Sequence, residues 1–358
     1  MFTPKYTITN QLLANITRIN GLISDLNNCR FPKVVLVAFE KTAREVSTFA
    51  STSIEGNPLP LTEVKKILKS KPANIRDSEK EVINYNHALE TLNQLLESDK
   101  LELSLRLILD IHKRVIDGLL STFETGKLRH HLVVVNDPRS GKIVYLPPEV
   151  EKVKELIDDL ILYVKDSSNL VDPLILAGIF HKQMVIIHPF MDGNGRTTRL
   201  ATKVLLAKMG LNTFNLFSFE NYYNQNVTKY FQIVGEYGDY TDLARSIDFT
   251  NWLEYFTGGL LDELLRVNKL LPTIGNTPDT KLETHHLKML AYIKQNGFIT
   301  DKNYANLTDR AKATRTLDFQ KLLELGLIER KGKGRSTYYL QRELDSSSVR
   351  GRIDKVRA

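Results

Sequence analysis

Cysteine is almost absent from this sequence, since Cys29 is the single one among 358 residues. One thiol cannot form a disulfide within the chain, and it suits a reducing compartment. Long apolar runs are also missing, because no stretch approaches the roughly 18 residues of a membrane span. Residues 1–10 are polar and lack the apolar centre of a signal peptide. These absences predict a cytoplasmic protein with no membrane partner.

Two nucleotide-binding signatures are missing as well. Neither the loop Gly-x-x-x-x-Gly-Lys-Ser/Thr nor the set of kinase motifs occurs, which disfavours a kinase.

Hydrophobic residues make up 42% and charged residues 25%, as in ordinary globular proteins, and the length suits two or three domains. The net charge of +7 is uneven, because residues 330–358 carry nine Lys/Arg and three Asp/Glu. The first 329 residues are therefore nearly neutral.

Residue types used in catalysis and binding are most concentrated between His188 and Arg199, where the sequence is His-Pro-Phe-Met-Asp-Gly-Asn-Gly-Arg-Thr-Thr-Arg. An apolar segment, 174–187, leads into it, and an apolar helix, 200–209, follows. Glycines allow backbone N–H groups to turn toward one point, and the N-terminus of the next helix adds a positive dipole. This combination is typical of an anion site. Arg196 and Arg199 are three residues apart, so both suit the outer oxygens of a polyphosphate.

Two further residues of the stretch indicate phosphate transfer. Asp192 is an oxygen ligand of the kind that Mg²⁺ takes beside a nucleotide triphosphate. His188 changes its charge near neutral pH and can accept a proton from an attacking hydroxyl. The plain alternative is a Gly-Asn-Gly turn between two helices with surface arginines. The presence of all these groups within twelve residues favours the phosphate-transfer site.

The stretch resembles the signature of the Fic (fido-fold) family, His-Pro-Phe-x-Asp-Gly-Asn-Gly-Arg-x-x-Arg, at every fixed position. The resemblance implies transfer of AMP from Mg·ATP to a Ser, Thr or Tyr hydroxyl of a protein. It makes His188 the general base and Asp192 the Mg²⁺ ligand. The phosphates would be bound by Gly193, Asn194, Gly195, Arg196, Thr197 and Arg199.

A shorter motif lies upstream, in Ser51-Thr52-Ser53-Ile54-Glu55-Gly56. Glu55 falls near a helix C-terminus, where the dipole disfavours a carboxylate, so a cationic neighbour is expected. An exposed Glu of little consequence is the alternative. Ser-x-x-x-Glu-Gly is similar to the inhibitory motif of some Fic proteins. That resemblance implies that Glu55, with Ser51 on the same helix, pairs with Arg199 and inhibits the enzyme.

Residues 132–136 and 142–146 are short β-prone runs joined by Asp137-Pro138-Arg139-Ser140-Gly141, which predicts a hairpin. In Fic proteins a hairpin at this place, followed by Tyr-x-Pro-Pro, covers the active site and holds the target protein by strand addition. Residues 126–129 and 145–148 match that pattern. By resemblance Ile143, Val144 and Tyr145 touch the nucleotide, and Tyr230 and Phe231 line the adenosine pocket. Phe231 replaces the more usual second tyrosine.

The C-terminal part resembles a winged helix-turn-helix. Helices are predicted over 287–295, 300–307 and 310–325, followed by a two-stranded wing around Lys-Gly-Lys-Gly. The third helix carries Arg310, Lys312, Arg315 and Lys321, which suit phosphate or groove contact. Such domains also serve protein contact, including dimer formation, so a DNA partner, a protein partner and a homodimer stay open.

The predicted fold is mainly α, a Fic helical core with a β-hairpin flap plus a C-terminal winged helix-turn-helix domain. Apolar spacing predicts further helices over 8–26, 34–54, 79–96, 101–120 and 150–164. The predicted regions are an N-terminal helical region with the inhibitory helix (1–100), a catalytic domain (101–262), a linker (263–280), a winged-helix domain (281–342) and a basic tail (343–358). His112 and His181 are expected to be packing residues.

Two alternative functions remain. One is a Fic-fold enzyme that transfers another phosphate-containing group or removes AMP, and the other is a nucleotide-sensing transcriptional regulator.

Overall fold

The computed structural model describes residues 2–28, 33–70, 72, 75–97, 101–137, 141–208, 216–274 and 282–341. The chain folds into two compact units, one of residues 1–26 and 43–266 and one of residues 27–42 and 267–358. The predicted basic tail, 343–358, and residues 275–280 of the predicted linker lie outside the described residues. None of the described helices is both long and apolar enough to cross a membrane.

The first unit is mainly helical and contains one small sheet. Its helices are α1 (Asn10–Asn28), α2 (Lys33–Ile54), α3 (Leu61–Lys69), α4 (Asp77–Glu97), α5 (Leu105–Val115), α6 (Val150–Asp166), α7 (Pro173–Ile187), α8 (Asn194–Lys208), α9 (Phe219–Gln225), α10 (Val227–Val234), α11 (Tyr240–Leu243) and α12 (Thr250–Ile274). The ends of α1, α2 and α12 extend into the residues assigned to the second unit. The predicted helices at 8–26, 34–54, 79–96 and 150–164 correspond to α1, α2, α4 and α6.

The centre of this unit is α7, which packs against α6 and α8. Thirteen of its fifteen residues are buried, so apart from the polar residues 181–183 its sequence is apolar on every side rather than along one stripe. The start of the helix is capped, because the Asp172 side chain accepts a hydrogen bond from Leu174 N and Pro173 occupies the first helical position. This helix ends at the motif, and α8 begins within it.

The sheet contains β1 (Val135–Asn136), β2 (Ile143–Leu146) and β3 (Gly238–Asp239). The antiparallel pairing of β1 with β2 confirms the predicted hairpin, although both strands are shorter than predicted. Residues 138–140 of its turn lie outside the described residues. The parallel pairing of β3 with β2 was not predicted, since two residues give no periodic signal. This third strand supports a hairpin that would be marginal alone.

The bounds of two predicted segments, one helix and the linker, differ from the structure. The helix predicted over 101–120 is the shorter α5 (Leu105–Val115). It starts later because the Ser104 side chain caps its start, and it ends earlier because Gly118 adopts a φ of 60° beyond its end. The other is the start of the predicted linker at residue 263, since α12 continues to Ile274. The sequence of α12 stays apolar at helical spacing through Leu264 and Val267, both of which are buried.

The second unit contains α13 (Thr284–Asn296), β4 (Phe298–Ile299), α14 (Asp301–Ala305), α15 (Lys312–Glu324), β5 (Ile328–Lys331), a 3₁₀ turn at Gly334–Ser336 and β6 (Tyr338–Gln341). The strands form an antiparallel sheet in the order β4-β6-β5. A core cluster that includes Met289, Tyr304, Phe319 and Ile328 lies between helices and sheet. Helix, strand, two helices and a two-stranded wing is the element order of a winged helix-turn-helix, with one more strand in the sheet than predicted.

Close packing around α7 predicts opposite effects of alanine at two helical glycines. An ideal Cβ on Gly178 would lie 2.6 Å from Leu253 Cδ2 and 3.1 Å from Phe256 Cδ1. Gly178→Ala should therefore destabilise the unit by about 1–3 kcal/mol, more than the gain in helix propensity of about 1 kcal/mol. Gly21 in α1 has no such neighbour within 4 Å, so Gly21→Ala should stabilise the protein slightly. Urea unfolding followed by circular dichroism checks both, and a stabilised Gly178→Ala would contradict the packing described.

Candidate active site

His188 ends α7 in a left-handed conformation, with φ 49° and ψ 60°. It is the one non-glycine residue with positive φ in the described part of the chain. A buried arginine, Arg129, supports this unusual backbone by donating from Nε to His188 O at 2.9 Å. The same guanidinium also donates to the carbonyls of His131 and Pro148, and Arg129 N donates to Pro189 O. One side chain therefore fixes His188 relative to the residues that flank the hairpin.

The protonation state of His188 can be inferred from its neighbours. Its Nδ1 lies 3.3 Å from Val185 O, and a carbonyl can only accept, so Nδ1 carries the proton and Nε2 keeps a lone pair. Burial lowers the pKa of His188 below its ordinary value, and the Val185 carbonyl and the charge of Glu55 offset only part of that effect. The imidazole is therefore neutral at neutral pH and able to accept a proton.

The loop between His188 and α8 is held in place by hydrogen bonds and by ring stacking. Asn194 accepts from Phe190 N and donates to Phe190 O, both at 2.9 Å. His112 Nε2 lies 3.0 Å from Asp192 O, while Gly126 N donates to His112 Nδ1 at 3.0 Å. The His112 ring also stacks on Phe190 at a centroid distance of 3.8 Å. His112 is a packing residue, as expected, and it joins the loop to the chain that enters the hairpin.

Asp192 and Arg196 form one edge of the site. Arg196 Nη2 lies 3.2 Å from both carboxylate oxygens of Asp192, and Arg196 Nη1 lies 3.4 Å from Glu81 Oε1. The Arg196 side chain is only 3% exposed, whereas that of Asp192 is 55% exposed. The Asp192 carboxylate is therefore presented to solvent at the end of the loop, where it can bind a cation.

Arg199 is the most deeply placed charge of the site, because its side chain is 0% exposed. Its Nη2 donates to Glu55 Oε1 at 2.7 Å and to Ser51 O at 2.9 Å, and its Nε donates to Ser51 Oγ at 2.8 Å. Burial acts to lower the pKa of Arg199, but the charge and hydrogen bond of Glu55 together with the nearby Tyr230 and Tyr85 outweigh it, so the pKa is raised. The structure thus brings Glu55, Ser51 and Arg199 together, as the sequence predicts.

Glu55 also lies over the first turn of α8. An ideal Cβ on Gly195 would be 2.2 Å from Glu55 Oε1, so only glycine allows the carboxylate to come this close. The N-terminal N–H groups of a helix have no partners within the helix and attract anions. The carboxylate of Glu55 therefore stands where an anionic ligand would bind.

A cavity of about 570 Å³ opens beside these groups. Predicted site residues that line it are Glu55, Val144, Tyr145, His188, Asn194, Gly195, Arg199, Tyr230 and Phe231. Ser51, Asp192, Gly193, Arg196 and Thr197 are not among its lining residues, and neither is Ile143, which is 59% exposed on the hairpin. The Tyr230 hydroxyl lies 3.1 Å from His181 Nε2, and burial raises the pKa of Tyr230 to about 12.

Part of the wall was not predicted. Residues 227–237 contribute Val227, Thr228, Gln232, Val234, Gly235, Glu236 and Tyr237 besides the predicted pair. The spacing of Thr228, Phe231 and Gln232 on α10 is the i, i+3, i+4 pattern of one helical face, which was the available signal. Arg129 was also missed as a support for His188, because nothing in its sequence neighbourhood indicates three carbonyl partners.

One cluster in the second unit has the composition of a metal site. His285, His286 and Asp318 have ligand atoms within 4.8 Å of one another. However, Glu283 N donates to His286 Nδ1 at 3.1 Å, which leaves the proton on Nε2, the nitrogen that faces Asp318. Arg310 donates to both oxygens of Asp318, and Tyr304 donates to one. These hydrogen bonds oppose metal binding.

Comparison with known proteins agrees with this geometry. Residues 102–206 match the Fic/DOC family. The "Protein adenylyltransferase fic-1" of Caenorhabditis briggsae is 34% identical over 211 residues, which are 56% of this chain and 40% of that protein. Its counterpart in Caenorhabditis elegans is 35% identical over 167 residues, 45% of this chain and 31% of that protein. The chain spans less than half the length of these curated relatives.

Two solved structures are similar over most of the chain. A Fic family protein from Desulfovibrio desulfuricans has a TM-score of 0.63 at 21% identity, covering 96% of this chain and 100% of that one. Fic-1 from Caenorhabditis elegans has a TM-score of 0.56 at 24% identity, covering 73% of this chain and 74% of that one. These likenesses establish the mainly helical Fic fold, which confirms the predicted fold class.

The environment of His112 predicts a specific pH dependence of stability. Burial lowers the pKa of His112 from about 6.5 to about 4, so the unfolded chain takes up the proton first as the pH falls. The corresponding stability is present above pH 6.5 and is lost on acidification toward pH 4. In His112→Gln, the free energy of unfolding should fall by about 2 kcal/mol less than in the wild type between pH 7 and pH 5.

The measurement is urea unfolding followed by the fluorescence of Trp252, which is the single tryptophan and lies in the first unit. His130→Gln is the matched control, because His130 is exposed on the surface. An unchanged pH dependence in His112→Gln would contradict the described environment of His112.

Proposed function

Since residues 102–206 form a Fic/DOC domain, we propose that this chain is a protein adenylyltransferase. It transfers AMP from ATP to a Ser, Thr or Tyr hydroxyl of a protein. The observation that carries the proposal is that one cavity is lined both by a neutral base, His188, and by phosphate-binding groups, Gly195 and Arg199. The names of the curated relatives support the same reaction.

In the proposed reaction His188 acts as the general base. Its Nε2 accepts the proton of the target hydroxyl while the hydroxyl oxygen bonds to the α-phosphorus. The bond between the α-phosphorus and the oxygen that bridges to the β-phosphate breaks, and pyrophosphate leaves. Arg129 holds the backbone carbonyl of His188 and Val185 O holds its imidazole beforehand, so the protein does not reorganise during proton transfer.

Phosphate binding is assigned to the start of α8. The N–H groups of the first turn, at Asn194 and Gly195, face an anion directly. Arg196 and Arg199 add charge, and we place the γ-phosphate at Arg199. Gly193 and Thr197, which were also predicted to bind phosphate, have less support for that role. Gly193 N donates to Asp192 Oδ1 at 2.5 Å, and Thr197 N donates to Gly193 O at 2.9 Å. Their amides are engaged within the loop, so we assign both a supporting role.

Mg²⁺ fits beside Asp192. Its carboxylate is about half exposed at the loop end, and Mg²⁺ in nucleotide sites commonly takes one or two carboxylates together with phosphate oxygens. Asp192 would hold the ion, with Arg196 orienting the carboxylate. When bound, the ion offsets the negative charge that develops on the leaving pyrophosphate.

Glu55 is proposed to inhibit the reaction by competition. Its carboxylate accepts the Arg199 hydrogen bond that a γ-phosphate needs, and it lies against Gly195. Two anions at one buried cation repel each other strongly, so a triphosphate cannot seat fully while Glu55 stays. Ser51 orients the Arg199 guanidinium from the same helix.

The adenosine is assigned to the wall formed by Val144, Tyr145, Tyr230 and Phe231. The Tyr145 and Tyr230 hydroxyls are already bonded, to Ile186 O and His181, so these two rings offer apolar faces rather than polar contacts. We place Ile143 on the outer side of the hairpin with the protein substrate instead. No further described strand pairs with β1, so its outer edge can add a target segment as a strand.

The C-terminal unit is proposed to bind a protein partner, either another protein or a second copy of this chain. Arg310 and Arg315, two of the four cations suited to DNA, form ion pairs with Asp318 and Asp301 inside the unit. The exposed face of α15 presents Leu317, which is 62% exposed. Cations that are already paired within the unit are less available to a phosphate backbone, which favours protein contact over DNA.

The reaction and its inhibition are tested with α-³²P-ATP, Mg²⁺ and cell lysate. Glu55→Gly should raise the protein-bound label by about tenfold or more, because it frees Arg199 for phosphate. The double variant Glu55→Gly/His188→Ala should lose about 100-fold or more of that label, because the base is missing. His87→Ala in the Glu55→Gly background is the control, since His87 is exposed on α4.

Label that persists without His188 would contradict its role as the base. Equal label in wild type and Glu55→Gly would contradict inhibition by Glu55 but leave the chemistry intact. Release of AMP from prelabelled protein by the wild type would favour AMP removal as the activity.

A further inference from the structure

A second pair of polar contacts joins the inhibitory helix to α8. Ser47 and Ser51 are four residues apart on α2, and Lys203 and Arg199 are four residues apart on α8. Each serine contacts one cation: Arg199 Nε donates to Ser51 Oγ at 2.8 Å, and Lys203 Nζ donates to Ser47 Oγ at 2.9 Å. Residues four apart lie on one helical face, so the two helices face each other through matching contacts.

Lys203 is held in the interior by a polar network. Its side chain is 2% exposed, and its Nζ lies 3.0 Å from Glu220 Oε1, which is 0% exposed. Tyr85 OH donates to Glu220 Oε1 at 2.9 Å, and Ser218 Oγ donates to Glu220 Oε2 at 2.9 Å. Burial lowers the pKa of Lys203, and the charge of Glu220 offsets only part of this effect. The ammonium group is therefore fixed in position and can act as a rigid docking point.

The end of α2 also forms part of the cavity wall. Ser53, Ile54, Glu55 and Gly56 all line the cavity, and Ile54 is buried. Arg199 Nη2 bonds the backbone carbonyl of Ser51 as well as the Glu55 carboxylate. The backbone of the helix end, and not only one side chain, therefore occupies this side of the site.

We propose that Lys203 is a positioning residue that docks residues 43–54 of α2 through Ser47. In this way it sets how strongly Glu55 inhibits. Release then moves this helical segment as a unit, breaking the Ser47–Lys203 and Glu55–Arg199 contacts together, rather than rotating the Glu55 side chain alone. The proposal rests on the proposed function, since it concerns the inhibition of that same site.

The chain offers a closely matched pair of variants for the test. Ser47→Ala removes the hydroxyl that accepts from Lys203. Thr48→Val removes a hydroxyl from the next residue, which is equally buried and whose Oγ1 has no hydrogen-bond partner among the residues described. Lys203 itself is a poor test, because its loss would leave Glu220 buried without a counter-charge and threaten the fold.

The first experiment measures labelling from α-³²P-ATP with the full chain. One hydrogen bond from a charged donor corresponds to a factor of about ten in an equilibrium, so Ser47→Ala should raise label about three- to tenfold. Thr48→Val should leave the label unchanged, and Ser47→Ala should add no further label in the Glu55→Gly background.

Unchanged label in Ser47→Ala, with a clear rise in Glu55→Gly, would overturn this proposal alone. A rise of equal size in both backgrounds would overturn it too. Absence of label in Glu55→Gly would remove the proposed function and this proposal with it.

The second experiment needs no target protein. Hydrogen exchange of residues 43–54 is measured in His188→Ala with and without Mg·ATP, and again with Ser47→Ala added. The proposal predicts faster exchange on nucleotide binding, and faster still without the Ser47 hydroxyl. Nucleotide binding with unchanged exchange in this segment would show that Glu55 moves alone and would overturn the proposal.

Discussion

The burial of Arg199 is the constraint on which the site depends. A guanidinium with no exposed surface requires acceptors, which are Ser51 on α2 and Glu55 directly after this helix. Removal of Glu55 alone would leave a buried cation short of a counter-charge, a position that the γ-phosphate of a nucleotide can fill. The same charge therefore holds Glu55 in the structure and, in the proposed reaction, binds the substrate. The proposed inhibition and the proposed catalysis are thus two uses of one cation.

Around that cation the catalytic loop is built to stay in place. Arg129 holds the carbonyl of His188, His112 joins Asp192 to Gly126, and Asn194 closes the turn on Phe190. Each of these bonds involves a buried side chain. In the proposed reaction little reorganisation is left for this loop, so we assign control to residues outside it, at the end of α2. The proposed inhibitory residue, Glu55, accordingly belongs to a different element and lies more than 130 residues before His188 in the sequence.

The sequence could predict the parts that depend on local residue order. The stretch His188–Arg199 predicts a base, a cation ligand and a phosphate site because those groups are close together in the sequence. Glu55 is found through the short motif Ser-x-x-x-Glu-Gly, which lies upstream. Contacts between distant segments that no motif marks were beyond sequence patterns. The third strand, Gly238–Asp239, is too short to show periodicity, and the outward position of Ile143 depends on how the hairpin lies. Arg310 and Arg315 looked available for DNA, but aspartates elsewhere in the unit pair with them.

The central claim is that Glu55 and a γ-phosphate compete for Arg199. The most direct test is calorimetric binding of ATP and of AMP, with Mg²⁺, to His188→Ala and to Glu55→Gly/His188→Ala. The competition predicts that removal of Glu55 tightens ATP binding by about tenfold or more while AMP, which lacks the γ-phosphate, changes little. An equal gain for both nucleotides, or no gain for ATP, would contradict the claim.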